Sequence, residues 1–452
     1  MSNAIETMNE NHENYEMVEN TTEGHPSLIT TMYINHFCTI TANNILNFRS
    51  SFTGALTILV LKYWWAAQAN RKPATVITDD KTTTITTPSH REQCQVKFET
   101  PKKYSTGSYS LPVFVSLTDI NDDNRSDIIV ANQNANNIGV FFNVQGNYFS
   151  EQVTHSSGYA GYESGPQYIS VADVNDDNKP DIIVANNWGN SVGVLFNYGS
   201  GHFDTKAYET GTETHPSGVA VADVNHDKKS DIIVTNQHEN TIGVFLRSGP
   251  GQFPFQKKYQ VSYGFNVMCP QVVDFNGDTH PDIIVANSGG ASIGIFFNVG
   301  DGTFTNWTTF STGFDSQPNS VFVTDVNGDN KPDLIVANFK TSNVGVLLNA
   351  GNGKFLNQTI YSTGRNSQPR SVFVADINCD NLPDIIVANS NEENIGIFLN
   401  FGNGIFQPQR TYATGVLTKP WSVAVRDAND DNKPDIIFSD TAKHQIVILM
   451  RS

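Results

Sequence analysis

Asp325-Val326-Asn327-Gly328-Asp329-Asn330-Lys331-Pro332-Asp333 is one of seven copies of an acidic loop, D-x-N-x-D-x-x-x-D. The other copies begin at Asp119, Asp173, Asp223, Asp274, Asp376 and Asp427, and successive copies lie about 51 residues apart. A fixed period of that length marks a repeat architecture. The flanks of the fifth copy are Ser320 to Thr324 before and Leu334 to Ala337 after. Such β-branched, apolar runs predict strands, so the loop joins two strands.

Three carboxylates and an amide oxygen fall within nine residues. In a tight turn, side chains at positions 1, 3 and 5 converge, and the carbonyl at position 7 and the Asp at position 9 complete a shell. These are hard oxygen ligands, which suit calcium. Zinc would call for Cys or His, and neither recurs at a ligand position. An EF-hand fails because position 12 is Val336 in copy five and Val130 in copy one, where that motif needs Glu between helices. The competing reading is that the Asp and Asn residues only make Asx turns. Against it stands the charge: three close carboxylates per loop repel one another if uncompensated. The loops hold twenty-one of the 45 acidic residues, and the formal net charge is −17. Up to seven Ca²⁺ would offset most of it. No basic stripe with interleaved aromatics is present, which argues against nucleic acid.

Each repeat continues alike. Asp-Ile-Ile-Val-Ala-Asn or a close variant follows the loop, ending at Asn132, Asn186, Asn287 and Asn389. Then come Asn-x-Gly-Val-Phe-like segments, with Gly at 139, 193, 243, 294, 345 and 396, and a Gly-x-Gly-x-Phe turn, as in Gly351 to Phe355. A polar stretch ends near Tyr-x-Thr-Gly, as in Tyr361 to Gly364. Four short strands in about 50 residues make a propeller blade. Repeat seven stops after its third strand, Ile446 to Met450, and the missing strand stands ahead of repeat one as Phe98 to Gly107. That stretch matches Phe406 to Gly415. The expectation is an all-β, seven-bladed β-propeller whose N-terminal strand completes the last blade and removes its exposed edges.

These repeats resemble the FG-GAP/VCBS repeats of the integrin α-type propeller and of many secreted bacterial proteins. The resemblance covers roughly residues 95–452. It implies calcium ligands at Asp119, Asn121, Asp123 and Asp127; Asp173, Asn175, Asp177 and Asp181; Asp223, Asn225, Asp227 and Asp231; and Asp274, Asn276, Asp278 and Asp282. It implies three further sets at Asp325, Asn327, Asp329 and Asp333; Asp376, Asn378, Asp380 and Asp384; and Asp427, Asn429, Asp431 and Asp435. The sequence departs from the family in three ways. Loop position 4 is Gly only at Gly277 and Gly328, and position 6 is usually Asn but is Lys228 and Thr279 in copies three and four. Repeat four lacks the Pro found seven residues before the loop elsewhere, at Pro112, Pro166, Pro216, Pro318, Pro369 and Pro420. The chain also ends with the propeller, where integrin α chains continue into leg domains, so an integrin subunit is not expected.

Residues 1–48 contain no Lys or Arg and read as a disordered acidic tail. Residues 50–70, bounded by Arg49 and Arg71, read as a candidate signal-anchor helix with the aromatic cluster Tyr63-Trp64-Trp65 at an interface. Lys62 stands against it, at a cost of about 2.5–3.5 kcal/mol in mid-bilayer. Residues 71–93 are Thr-rich and read as a stalk, and 94–452 form the propeller. The positive charges Lys62, Arg71 and Lys72 lie on the propeller side, against the charge rule for an outward propeller. Calcium loops favour the outside, where the ion is millimolar, as do sequons at Asn306 and Asn357. The expected place is the cell surface, single-pass, or else secreted. The four cysteines, Cys38, Cys94, Cys269 and Cys379, give no framework, and no disulfide is expected between Cys94 and Cys269.

A rigid ring with variable short loops suggests a binding or adhesion module for a protein or glycan ligand. The aromatic candidates are Trp188, Phe339, Trp421, Tyr159 and Tyr162, with inter-blade packing the plainer reading for Trp421 and simple turn positions for Trp188 and Phe339. A polysaccharide lyase or hydrolase is the alternative, since propellers host enzymes. It would need one blade with a catalytic set the others lack, and the histidines are scattered, with no Gly-x-Ser-x-Gly elbow or His-Glu-x-x-His helix. The expectation is therefore no enzyme activity and no catalytic residue. A structural spacer is the third reading.

Overall fold

A computed structural model describes residues 96–452 except 145–147, 160, 262–265 and 306, together with four short strands nearer the N-terminus. The chain divides into two compact units, Met1–His90 and Arg91–Ser452. In the first, Met32–Ile34 pairs antiparallel with Cys38–Ile40, and Thr75–Thr78 pairs with Lys81–Thr84. The 50–70 segment and Cys94 lie outside the described residues. Among the described residues no helix is long and apolar enough to cross a membrane.

The second unit is seven four-stranded antiparallel sheets. Each blade starts with an inner strand: Pro112–Thr118, Pro166–Ala172, Pro216–Ala222, Val267–Val273, Pro318–Thr324, Pro369–Ala375 and Pro420–Arg426. Inner strands of successive blades touch all the way round, and the last touches the first. The second strands, such as Asp127–Asn132 and Asp333–Asn338, are buried at every residue. This explains their composition. A strand covered on both faces by neighbouring blades has no polar side, so it reads as a continuous Ile-Ile-Val run. Seven apolar clusters fill the seven joints between blades.

The ring closes as the sequence predicts. Lys102–Ser105 pairs with the third strand of blade 7, Gln445 opposite Ser105 and Ile448 opposite Lys102. Phe98 and Arg451 form a further bridge, and the Glu99 amide donates to the Met450 carbonyl at 2.9 Å. In several joints a fourth-strand Tyr stands edge-on to the Phe that ends the next Gly-x-Gly-x-Phe turn, or to its counterpart Phe149 in blade 1. Tyr104 meets Phe149, Tyr208 meets Phe253, Tyr259 meets Phe304 and Tyr361 meets Phe406, at centroid distances of 5.3–5.7 Å. In the joint between blades 6 and 7, Tyr412 meets Phe98 at 4.9 Å and 87°. The N-terminal segment thus supplies the aromatic contact of the blade it completes as well as the strand.

The order of strands sets two faces. Each acidic loop joins the first and second strands, so it lies at one end of the blade. The turn between the second and third strands lies at the other end, beside the connection that leads into the next blade. Inner strands of different blades also meet through their side chains. Phe114 and Tyr168 are 4.0 Å apart, Phe322 and Phe373 are 4.9 Å apart, and Tyr168 Oη reaches Cys269 Sγ at 3.6 Å from blade 2 to blade 4. Cys269 and Cys379 carry free thiols, the first buried and the second exposed.

Candidate functional site: the acidic loops and the face opposite

All seven loops share one backbone. Positions 4 and 6 have positive φ in every copy, from Asp122 (65°) and Asn124 (62°) to Asp430 (61°) and Asn432 (62°). The two departures follow suit: Lys228 sits at 66° and Thr279 at 75°. Asn tolerates this region and Thr does not, so Thr279 holds its turn under strain.

Side-chain oxygens close each turn. Asp119 Oδ1 accepts the Asp123 amide at 3.1 Å and Oδ2 accepts the Asn124 amide at 2.6 Å. Asn121 Oδ1 accepts the Asp123 amide, and Asp123 Oδ1 accepts the Arg125 amide. Position 7 is often basic and leans on position 5, as Lys229 on Asp227 and Lys331 on Asp329, each at 2.9 Å. Position 9 differs from the rest. Asp127, Asp181, Asp231, Asp282, Asp333, Asp384 and Asp435 are fully buried. One oxygen of Asp127 accepts the Ile120 amide (3.0 Å) and the other the Asn143 amide (2.8 Å).

Among the described residues no basic side chain pairs with a position-9 carboxylate. Burial pushes the carboxyls of Asp127, Asp181, Asp231, Asp282 and Asp435 up to about 6 and that of Asp384 up to about 7, and it raises Asp333. Repulsion from the position-5 carboxylate adds to each, while the two backbone amides pull the other way. The donor chemistry fits a hard divalent cation: carboxylate and amide oxygens in one turn, beside a buried anion with no countercharge. As the side chains stand, among the described residues no three carboxylate, His or Cys groups gather as a metal cluster. The loop oxygens face backbone amides instead.

A set of contacts that sequence reading missed ties each loop to the next blade. An Asn sixteen residues after position 9 donates its backbone amide to that Asp, and its side chain reaches back. Asn197 Nδ2 donates to Ile120 O at 2.7 Å, Asn298 to Val224 O, Asn349 to Phe275 O and Asn400 to Val326 O. Asn143 makes the same bond across the closure, to Ala428 O at 3.0 Å. In blade 3 the residue is Arg247, which grips Asp176 at 2.7 and 2.9 Å. In blade 7 it is Arg451, donating to Asn378 O. The signal was available in the sequence, because Asn recurs at this offset in five repeats.

On the opposite face the predicted aromatics are placed as follows. Trp188 is 39% exposed in the second-to-third-strand turn of blade 2, and Tyr162 is 78% exposed. Tyr159 donates to Ala207 O at 3.3 Å. Trp421 packs in part against the core between blades 1 and 2, and Phe339 and Trp421 both lie under Arg370. Exposed Tyr109, Phe314, Val416 and Leu417 occupy the connections between blades on this face.

A family model for FG-GAP-like repeats matches residues 119–184, 173–234, 223–285, 274–336, 325–387 and 378–438. The chain is an FG-GAP repeat protein. No curated protein matches it. Among solved structures it is similar to virginiamycin B lyase from Staphylococcus aureus, at 15% identity and a TM-score of 0.57, over 79% of this chain and 100% of that one. It is also similar to BBS1N in complex with ARL6DN, at 13% identity and a TM-score of 0.53, over 79% and 97%. At these identities the likeness is one of fold. In this FG-GAP protein His226 Nε2 lies 2.8 Å from His280 Nδ1 and His238 Nδ1 lies 2.9 Å from Glu213 O, while the His155 ring packs edge-on to Phe203 with its Nε2 buried and unpartnered.

Proposed function

We propose that this FG-GAP protein is a calcium-braced binding module at the cell surface or outside the cell. Its ring presents a protein or glycan ligand site on the face opposite the acidic loops, and it performs no catalysis. The carrying observation is the position-9 Asp, buried without a countercharge in seven loops of one backbone geometry. A carboxylate in that setting is costly unless a cation joins it. Calcium would be held by the side chains at positions 1, 3, 5 and 9, drawing the first three off the amides they now accept. Bound there, it would neutralise charge and stiffen the loop that each blade offers to the next through the Asn contacts.

The binding role follows from where the repeats differ. The acidic loops are nearly uniform, while the connections on the opposite face differ from blade to blade and carry exposed Tyr109, Tyr162 and Phe314; exposed Tyr198 and Phe401 stand in turns beside the loops, and recognition usually sits in variable segments on a rigid scaffold. The enzymatic reading has less support, because the clustered carboxylates belong to the loops. The test is thermal unfolding of the full chain in millimolar calcium and in excess chelator. A ligand that binds only the folded state stabilises by RT ln(1 + [L]/Kd) per site, so seven sites should raise Tm together. An unchanged Tm would reduce the loops to Asx turns and remove the argument for an extracellular setting.

A further inference from the structure

Every inner strand breaks register near its start, after the first residue in six blades, for example between Pro369 and Ser371 or Pro420 and Val423, and after the second residue, Met268, in blade 4. A bulge of this kind re-aims the extra side chain. The bulged residues form a ring on the face opposite the loops and differ from blade to blade: Val113, Gln167, Ser217, Asn319, Arg370 and Trp421 among them. Arg370 is the charged one. Its guanidinium carbon lies 3.6 Å from the centroid of the Trp421 ring in blade 7 and 4.5 Å from that of Phe339 in blade 5. Its backbone carbonyl accepts Asn319 Nδ2 at 2.9 Å, which fixes the bulge.

Arg370 has no ion pair among the described residues, in a protein of net charge −17. Its Nε is buried with no hydrogen-bond partner, while the residue as a whole stays partly exposed. Burial pushes the guanidinium down to about 10. Rings stabilise a cation over their faces but leave its in-plane N–H donors unmet. Those donors form a planar fork that matches the two oxygens of a carboxylate.

We propose that Arg370, held over Trp421 and Phe339, is a carboxylate-binding site on the face opposite the acidic loops, and that the carboxylate comes from an acidic side chain of a protein partner. The exposed residues of the same face favour a peptide source. Tyr109, Phe314, Val416 and Leu417 stand on the same face, in the connections leading into blades 1, 5 and 7, and a face that combines exposed aromatic and apolar residues with an Arg has the composition of a protein interface. The inference deepens the binding reading above and names its ligand chemistry. It is independent of calcium: a chelator-insensitive Tm would leave it standing, and its failure would leave the loops untouched.

The test uses full-length protein with ¹⁵N-labelled Trp indoles. N-acetyl-glutamate methylamide, the glutamine analogue, glucuronate and inorganic phosphate are titrated in turn. The expected result is a saturable shift of the Trp421 indole with the glutamate probe, none with the glutamine analogue, and none with the glutamate probe in Arg370→Gln. Unmoved Trp188 and Trp307 resonances report that the variant is folded. Arg370→Lys keeps the charge without the fork, so it should weaken binding several-fold, and it serves if the Gln variant does not fold. Equal shifts with the glutamine analogue, or undiminished binding in either variant, would overturn the site. Tighter binding of glucuronate or phosphate than of the glutamate probe would overturn the peptide assignment.

Discussion

At the scale of single residues, the position-9 Asp sets the chemistry. Its folded-state pKa lies above the unfolded value near 4 because burial disfavours the charge. The folded chain therefore holds these protons more tightly than the unfolded chain. Stability from this source is full below pH 4 and is lost as pH rises through 6 to 7. In chelator, calorimetry should give a higher Tm at pH 5 than at pH 7.5. In millimolar calcium the order should reverse, since a metal takes the deprotonated form. Thr279 offers a second check. A β-branched residue at φ 75° is strained, and Thr279→Asn should stabilise the protein by about 1 kcal/mol, read as a rise in Tm. The identity of loop residues was fully legible in the sequence, and Lys228 and Thr279 stood out there as departures. Their backbone was not legible, because neighbouring bonds impose the turn against the residue's own preference.

At the scale of elements, the Asn contact joins a third strand to the preceding loop. Asn298→Ala would leave the buried Val224 carbonyl unpaired, and an unsatisfied buried group costs about 1–3 kcal/mol. Urea unfolding should show that loss, whereas an Ala at an exposed fourth-strand position such as Thr308 should change little. Strand identity came from composition: fully covered second strands are unbroken apolar runs, and the fourth strands are polar and half exposed. The bulges were not readable, because a bulge is a relation between two strands and leaves no mark in one. Repeat four illustrates this. Lacking the leading Pro, it still forms its inner strand, Val267–Val273, with a longer break between Met268 and Gln271.

At the scale of the whole molecule, closure is what makes seven repeats one ring. Removing residues 96–107 would take away Phe98 and the strand Lys102–Ser105, exposing the edge of Gln445–Leu449. Light scattering should then report association, and the thermal transition should broaden, because an unpaired apolar edge recruits other chains.

The sequence alone determined the period, the four strands of each blade, the completing N-terminal strand and the placement of all seven acidic loops. Those features depend on neighbours within one repeat or in the next, so each copy repeats the same message. The meeting of Phe339, Arg370 and Trp421, and the reach of Tyr168 to Cys269, were decided only by the tertiary structure. These side chains come from different blades. Their separation is set by the number of blades, their tilt and, for Arg370 and Trp421, the bulges that carry them, and none of those quantities is written within a single repeat.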